Sequence, residues 1–136
     1  MGFIHENITI KNACDVINAG RGIISESQVR QVNVQAVVDT GAFVMIMSEE
    51  VCNELGLTIK GDKSVSLADR TYKNCKITEP VEIHWKDRFS TMNALVLPGA
   101  NEILLGVLPL EDMDLIVDPK NQKLIGAHGD KAIYRI

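Results

Sequence analysis

Asp39, Thr40 and Gly41 are the residues best suited to chemistry in this chain, because they directly follow the apolar run Ala36-Val37-Val38. Such a run is typical of a strand entering a core, which predicts that the Asp39 carboxylate lies at the edge of that core. A carboxylate held there can act as a general acid or base. The same triplet can also be a strand-ending turn, in which Asp39 bonds its own backbone and Gly41 supplies a positive φ.

A second apolar strand in the other half of the chain ends in the same manner, with Ile103-Leu104-Leu105 followed by Gly106. A short helix with Pro109 in its first turn is predicted next, and after it an apolar strand that ends at Asp118-Pro119. This combination is far more specific than the triplet alone, and it favours a site over a simple turn.

Short apolar runs, separated by Gly, Asn, Asp and Pro, predict a mostly β chain that must position these residues. The predicted strands and hairpins cover residues 29–38, 65–72 with a turn near Asp69-Arg70, 81–85 and 89–97 around a turn at 86–88, and 115–117 with 123–125. Two short helices are expected: one capped by Ser48 and ended by Gly56, the other over residues 108–113.

In order and spacing, these segments resemble the retropepsin-like aspartic proteases, and more closely their small bacterial and archaeal single-domain relatives. The matching residues are Val37-Val38-Asp39-Thr40-Gly41-Ala42, Glu54-Leu55-Gly56-Leu57, Val65-Ser66-Leu67-Ala68-Asp69, Ile103-Leu104-Leu105-Gly106 and Pro109-Leu110-Glu111-Asp112-Met113-Asp114-Leu115. They cover about residues 29–126 of a single expected domain, 1–136. The resemblance implies a mainly β, closed acid-protease barrel with one or two short helices, one lobe per chain, and a hairpin flap over a peptide cleft.

The resemblance also implies an activity, aspartic-type endopeptidase, and a role for each matching residue. Asp39 would be catalytic, Thr40 would bond across a dimer to the partner's loop, the Gly41 N–H would donate to a carboxylate, and Ala42 would leave the cleft floor open. The loop would be braced by Leu104, Leu105 and Gly106, and the flap and substrate contacts would come from Ala68, Asp69 and Arg70. The expected partner is a peptide or unfolded protein substrate, and the chemistry requires neither metal nor cofactor.

A homodimer is expected because the chemistry needs two carboxylates and the chain contains one Asp-Thr-Gly. Asp118 is the best internal rival, but Pro119 and Lys120 follow it in place of Thr and Gly. The second acid should therefore be Asp39 of another copy. The resemblance implies terminal strands that interleave across the interface, as in the retroviral relatives, and residues 131–136 have the β-branched and aromatic character to do so. Residues 4–10 could pair with them or join the barrel of their own chain.

The flap tip departs from the pattern of these relatives, which usually have Gly after the Ala-Asp of this hairpin. Arg70 stands there, so Asp69 is expected to take the left-handed conformation and the tip to be bulkier and charged. Arg70 could contact an acidic substrate residue or be exposed without a partner. Two rivals to the protease remain: a retropepsin fold that binds peptide or protein without cleaving it, and a β-rich scaffold in which the triplet is only a turn.

Composition excludes several other functions. The 136 residues include 14 Lys and Arg against 18 Asp and Glu, a net charge of −4, without the basic block that nucleic-acid binding requires. No leader or run long enough to span a bilayer is recognisable, so we expect a cytoplasmic protein without membrane contact. The cysteines are odd in number and lack the spacing of a metal site or a disulfide framework: Cys14, Cys52 and Cys75. The histidines are far apart in the sequence: His5, His84 and His128.

Overall fold

A computed structural model describes residues 3–136, and these form a mainly β structure with three short α-helices. The strands are β1 (Ile4–Asn12), β2 (Gln31–Val38), β3 (Met45–Met47), β4 (Ile59–Ser66), β5 (Tyr72–Trp85), β6 (Arg88–Val96), β7 (Ile103–Leu105), β8 (Leu115–Asp118) and β9 (Lys123–Gly126). The helices are α1 (Ala13–Gly20), α2 (Glu49–Glu54) and α3 (Val107–Asp112), and a 3-10 turn covers Glu26–Gln28.

Six of the strands close into a barrel. They run in the order β1, β2, β7, β3, β6, β5, and β5 pairs back onto β1 to complete the circle. Closure pairs backbone groups that an open sheet would leave unsatisfied at its edges. β4 is bonded to β5 and extends the β4–β5 hairpin beyond the closed set. The predicted mainly β, closed barrel is confirmed.

The barrel interior is filled by the alternate side chains of its strands. Ile8 and Ile10 of β1, and Val81 and Ile83 of β5, are all at most 3% exposed. In β2 the alternation gives way to three consecutive buried residues, 36–38, where β7 lies alongside in parallel. The apolar run therefore ends at a position where the chain leaves a fully packed interior.

The two predicted helices form where their local signals place them. The Ser48 hydroxyl caps α2 by accepting from the Val51 N–H at 3.2 Å, and Gly56 ends the helix with a φ of 63°. Both features satisfy groups that a helix terminus leaves unpaired. α3 contains Pro109 in its first turn and begins at Val107, one residue earlier than predicted.

Two local features differ from the sequence-based prediction. The first is α1, an eight-residue helix in which the Asn12 side chain accepts from the Asp15 N–H at 3.1 Å. The second is Arg88, which was expected in a turn but begins β6 and is only 7% exposed. Its guanidinium donates to the carbonyl oxygens of Met113, Asp114 and Gly129, and thereby holds the C-terminal hairpin against the barrel.

The two termini behave differently. β1 belongs to the barrel of its own chain, which decides between the two alternatives for residues 4–10. Residues 131–136 form no strand within the described chain; the Ile133 N–H donates to Asp114 and the Tyr134 hydroxyl to the Asp112 carbonyl. Interleaving of this segment with a second copy stays a prediction. None of the helices within residues 3–136 is long and apolar enough to cross a membrane.

Candidate active site

Asp39 lies at the first position after β2, where the chain turns sharply. Its backbone N–H donates to the Leu105 carbonyl at 3.0 Å, continuing the pairing of β2 with β7. The Ala42 N–H donates back to the Asp39 carbonyl at 3.1 Å and closes the turn. One carboxylate oxygen, Oδ1, accepts from the Gly41 N–H at 2.9 Å. The side chain is therefore oriented by the loop that it begins.

Gly41 does not have the positive φ that the simple-turn alternative assigned to it; what its position requires is close approach to the Asp39 carboxylate. A Cβ built on Gly41 would lie 3.1 Å from Oδ1 of Asp39. Such a contact is tight for any side chain, and it would press on the carboxylate that the Gly41 N–H holds. The glycine thus allows a backbone donor to approach the acid closely.

Gly106 allows the second strand to press against the loop. A Cβ there would lie 2.4 Å from the Val44 carbonyl oxygen and 2.7 Å from that of Ala42. The residues after Gly106 bond the same loop: the Val107 N–H donates to Ala42 at 2.9 Å, and the Leu108 N–H donates to Phe43 at 2.8 Å. The beginning of α3 therefore supports the loop that follows Asp39 through two backbone bonds.

A cleft of about 920 Å³ lies between this loop and the β4–β5 hairpin. Asp39, Gly41, Ala42, Leu104 and Ala68 are among its lining residues. Most of the remaining wall is apolar, with Ile46, Ile77, Met92, Leu95 and Leu108. The only charged residues among the described lining are Asp39 and Lys63. The cleft therefore presents one carboxylate in largely apolar surroundings.

The tip of the hairpin is a three-residue loop, Ala68-Asp69-Arg70, closed by two backbone bonds. The Arg70 N–H donates to the Leu67 carbonyl at 2.9 Å, and the Leu67 N–H donates to the Thr71 carbonyl at 2.8 Å. Arg70, and not Asp69, takes the left-handed conformation, with a φ of 66°. Asp69 instead accepts from the N–H and the hydroxyl of Thr71, and these bonds lower the pKa of its carboxyl. This corrects the expectation for Asp69.

The geometry agrees with a comparison of the whole sequence. The model of the family described as gag-polyprotein putative aspartyl protease matches residues 25–112. The chain belongs to this family of retropepsin-like aspartyl proteases. The matched segment contains the Asp39 loop, the hairpin and β7 with the beginning of α3, whereas β1 and the β8–β9 hairpin lie outside it. No curated protein matches the chain.

In this member of the aspartyl protease family, most of the remaining predicted residues lie around the cleft without lining it, and Leu104 is the exception. Thr40 is exposed, and its hydroxyl has no hydrogen-bond partner within residues 3–136. Leu105 is fully buried under the loop, whereas Leu104 contributes to the cleft wall as well as to the brace. Asp69 and Arg70 are exposed at the hairpin tip.

Three further titratable side chains that the sequence singled out, Asp118, His84 and His128, have local partners away from the cleft. Asp118 accepts from Lys120 and Asn121 in the β8–β9 turn. His84 bonds Glu82 on the barrel surface, and His128 bonds Asp114 near the C-terminal segment. Within the described residues no three His, Cys, Asp or Glu side chains come together as a metal site.

The three thiols are free and unsuited to nucleophilic catalysis. Cys52 and Cys75 are buried and Cys14 is half-buried, as expected for cysteines that serve as small apolar residues. Burial raises the pKa of all three thiols, and the nearby Glu79 carboxylate raises that of Cys14 further. A raised pKa leaves less of the thiolate, which is the nucleophilic form.

Among the cleft residues that were not found from the sequence, Lys63 is the charged one. Lys63 lines the cleft from β4, but in the sequence it stands in an ordinary polar stretch, Lys60-Gly61-Asp62-Lys63-Ser64. Its orientation depends on the register between β4 and β5, in which Lys63 lies opposite Cys75. The alternation of side chains in a strand was the available signal, but it gives a face only once the register is known.

Proposed function

We propose that this chain is an aspartic endopeptidase that works as a homodimer, with the Asp39 residues of two copies meeting at a two-fold axis. The observation that carries the proposal is the cleft itself, in which Asp39 is the only carboxylate among the described lining residues. Peptide hydrolysis by this mechanism requires two carboxylates, so one chain supplies half of the site. A second copy related by symmetry supplies the other half with the same residue.

The proposed mechanism follows from the proximity of two like charges. Two carboxylates about 3 Å apart cannot both ionise, so the pair shares one proton. The ionised member removes a proton from a water molecule held between them, and that water attacks the peptide carbonyl carbon. The protonated member donates to the developing oxyanion, which gives a tetrahedral diol. As the diol collapses, the C–N bond breaks, the leaving amine takes the proton that the first carboxylate removed from water, and a diol hydroxyl returns its proton to the other carboxylate. Both members can exchange these roles, because the two chains are identical.

The surroundings of Asp39 fit these roles. The Gly41 N–H donates to one carboxylate oxygen at 2.9 Å and fixes the orientation of the side chain. The Thr40 hydroxyl is exposed and free of partners within the described residues, which suits the proposed bond to the loop of the second copy. The apolar cleft walls reduce the access of bulk water to the site.

The substrate proposed for this cleft is an extended peptide or unfolded protein segment. The cleft between the Asp39 loop and the flap, defined here as residues 59–77 of the β4–β5 hairpin, has a volume of about 920 Å³, far less than a folded domain occupies. Flap residues 63–68 line one side of the cleft, and residues of the Asp39 loop line the other. An extended segment can present its backbone to both sides at once.

The test is cleavage of a library of unstructured peptides by the wild type and by Asp39→Asn, from roughly pH 4 to 7, the range in which a shared-proton pair should work. Cleavage by the wild type alone, with specific activity that rises with protein concentration, is the expected result. Cleavage by both proteins would mean a different active site or a contaminant and would overturn the role of Asp39.

The same library also tests the non-enzymatic alternative, for which the strained Arg70 at the flap tip is the favouring observation. If a folded wild type binds library peptides and cleaves none of them, the chain is a peptide-binding module of retropepsin fold. If Asp39→Asn keeps the full activity of the wild type and the monomer is fully folded, the chain is a β-rich scaffold in which the triplet is only a turn.

A further inference from the structure

The flap has a charge opposite to that of the rest of the molecule. It carries five basic side chains against two acidic ones, whereas the whole chain has a net charge of −4. The basic residues are Lys60, Lys63, Arg70, Lys73 and Lys76, and the acidic ones are Asp62 and Asp69. An excess of one sign beside a cleft attracts ligands of the other sign and raises their local concentration.

Both flap carboxylates are already occupied. Asp62 accepts from the Lys76 ammonium at 2.5 Å and from Asn74, and Asp69 accepts twice from Thr71 in the tip. Lys76 is therefore neutralised by its partner. Lys63 forms no salt bridge within the described residues. The charge of Lys76 is therefore compensated, whereas within the described chain that of Lys63 is not.

The β4–β5 register separates these lysines onto opposite faces. Lys63 lies opposite Cys75 and Val65 lies opposite Lys73, and directly opposed residues of antiparallel strands share a face. Cys75 is fully buried and Ile77, two residues on, lines the cleft, so this face is the inner one. Asp62 and Lys76 form the next pair along the ladder and therefore lie on the outer face.

We propose that Lys63 is a specificity-determining residue of this cleft, which selects peptides with a Glu or Asp side chain at the position that passes beneath the inner face of the flap. Lys63 is the only cation among the described lining residues, and the walls around it are largely apolar. A substrate carboxylate placed there would supply the partner that the chain lacks. The inference rests on the proposed function, because it concerns how the same cleft chooses among peptides.

The experiment uses peptides that share one cleavable apolar centre and differ by a single Glu, Gln or Lys, placed in turn at each flanking position. Hydrolysis is measured for the wild type, Lys63→Gln and Lys63→Glu. Lys76→Gln is the matched control, because it removes an equal charge from the opposite face of the same hairpin. At one flanking position we expect the wild type to prefer Glu over Gln by about twofold to fivefold in kcat/KM, the effect of one partly exposed ion pair.

Three further results are expected. Lys63→Gln abolishes the preference, Lys63→Glu reverses it in favour of the Lys peptide, and Lys76→Gln keeps it. The preference also shrinks as the salt concentration rises from about 0.05 to about 0.5 M, because a solvent-accessible pair is screened. If Lys63→Gln instead loses the same fraction of activity on the Glu, Gln and Lys peptides, the proposal is overturned, and Lys63 contacts the second subunit or stiffens the flap.

Failure of this inference is distinguishable from failure of the proposed function. If the wild type cleaves the peptides without distinguishing Glu from Gln at any position, the endopeptidase stands and the role of Lys63 is refuted. If nothing is cleaved, fluorescence anisotropy measures the affinity of the same peptides for two proteins, Asp39→Asn and the double variant that also carries Lys63→Gln. The ratio of the affinities for the Glu and Gln peptides then replaces the ratio of kcat/KM. A Glu-to-Gln affinity ratio of one in both proteins would refute the selection of acidic peptides.

Discussion

Arg70 occupies the position of the flap tip at which the turn imposes a positive φ. The Arg70 N–H closes a four-residue turn onto Leu67, and the next step into β5 requires the left-handed conformation. This arrangement, a turn followed by a left-handed residue, is common in three-residue hairpin loops and usually places glycine at that point. An arginine there meets a steric cost of about 1 kcal/mol that glycine would not.

Replacing this residue should tighten the flap. We expect Arg70→Gly to slow amide exchange at Leu67 and Arg70, the two positions whose bonds close the tip, by about fivefold, equivalent to about 1 kcal/mol. Ala68→Gly is the control, because Ala68 has no positive φ and a glycine there only adds freedom to the unfolded loop. Equal or faster exchange in Arg70→Gly would mean that the arginine side chain stabilises the tip by other contacts.

Single residues were also where prediction from sequence succeeded or failed for a clear physical reason. Ser48 as a helix cap and Pro109 in a first turn depend on neighbours within four positions, so the sequence alone could indicate them. The inward orientation of Lys63 depends on the pairing of two strands, and its site was therefore invisible. The Gly41 N–H donates to a carboxylate as the family resemblance implied, but local sequence alone did not distinguish this contact from a simple turn with a positive φ.

At the scale of elements, α1 shows what a short helix needs from the rest of the fold. Its apolar stripe is too short to reveal a period, and an isolated helix of eight residues is not stable in water. Asp15 holds it in place by accepting from the backbone N–H, Nε and Nη2 of Arg30, which lies just before β2. Helix α1 is thereby tied to the strand that leads to Asp39.

This tie should give the fold a pH dependence. The hydrogen bonds from Arg30 hold the pKa of the Asp15 carboxyl below its ordinary value. A carboxyl with a lowered pKa in the folded state adds stability that is fully present above the unfolded pKa, about 3.9, and is lost as the pH falls through the folded value. Asp15→Asn should therefore lower the free energy of unfolding by about 2 kcal/mol at pH 7.

Urea unfolding at pH 7 and at pH 3 measures this difference. The difference in free energy of unfolding between the wild type and Asp15→Asn should be smaller at pH 3, because protonation of Asp15 removes the contribution of its ionised carboxylate from the wild type. Asp87→Asn is the control, since Asp87 lies exposed in the β5–β6 turn and has no side-chain hydrogen bond within the described chain. A gap of the same size at both pH values would show that the geometry of the bonds matters and the charge does not.

At the scale of the whole molecule, the fold could be predicted much further than the site. The apolar runs indicated only a mostly β chain; the closed acid-protease barrel was implied by the resemblance of five segments within residues 29–126 to retropepsin-like proteases, and the strand pairing and the family match over residues 25–112 agree. Contacts between segments far apart in the chain could not be predicted from the sequence. Glu6, for example, accepts from the Trp85 indole and the Leu124 N–H and so links β1 to β5 and β9. Such links emerge only when the barrel is closed.

The proposed dimer can be tested by mixing, because an Asp39→Asn subunit paired with a wild-type subunit would supply only one carboxylate. With a ninefold excess of Asp39→Asn, refolded together with a fixed amount of wild type, random pairing leaves about one tenth of wild-type chains in wild-type dimers. Specific activity per wild-type chain should fall to about one tenth. The measurement is the initial rate of peptide cleavage at a total concentration well above that needed for dimerisation.

Asp118→Asn added in the same excess is the matched control for this mixing. Asp118 is the best internal rival for the second acid, but its carboxylate caps the β8–β9 turn and does not line the cleft. Mixed dimers with Asp118→Asn keep both Asp39 residues, so we expect their activity to be retained. If Asp39→Asn leaves the wild-type rate unchanged while Asp118→Asn itself is inactive, one chain builds the whole site, and the second carboxylate is Asp118 brought in by a rearrangement of the β8–β9 hairpin.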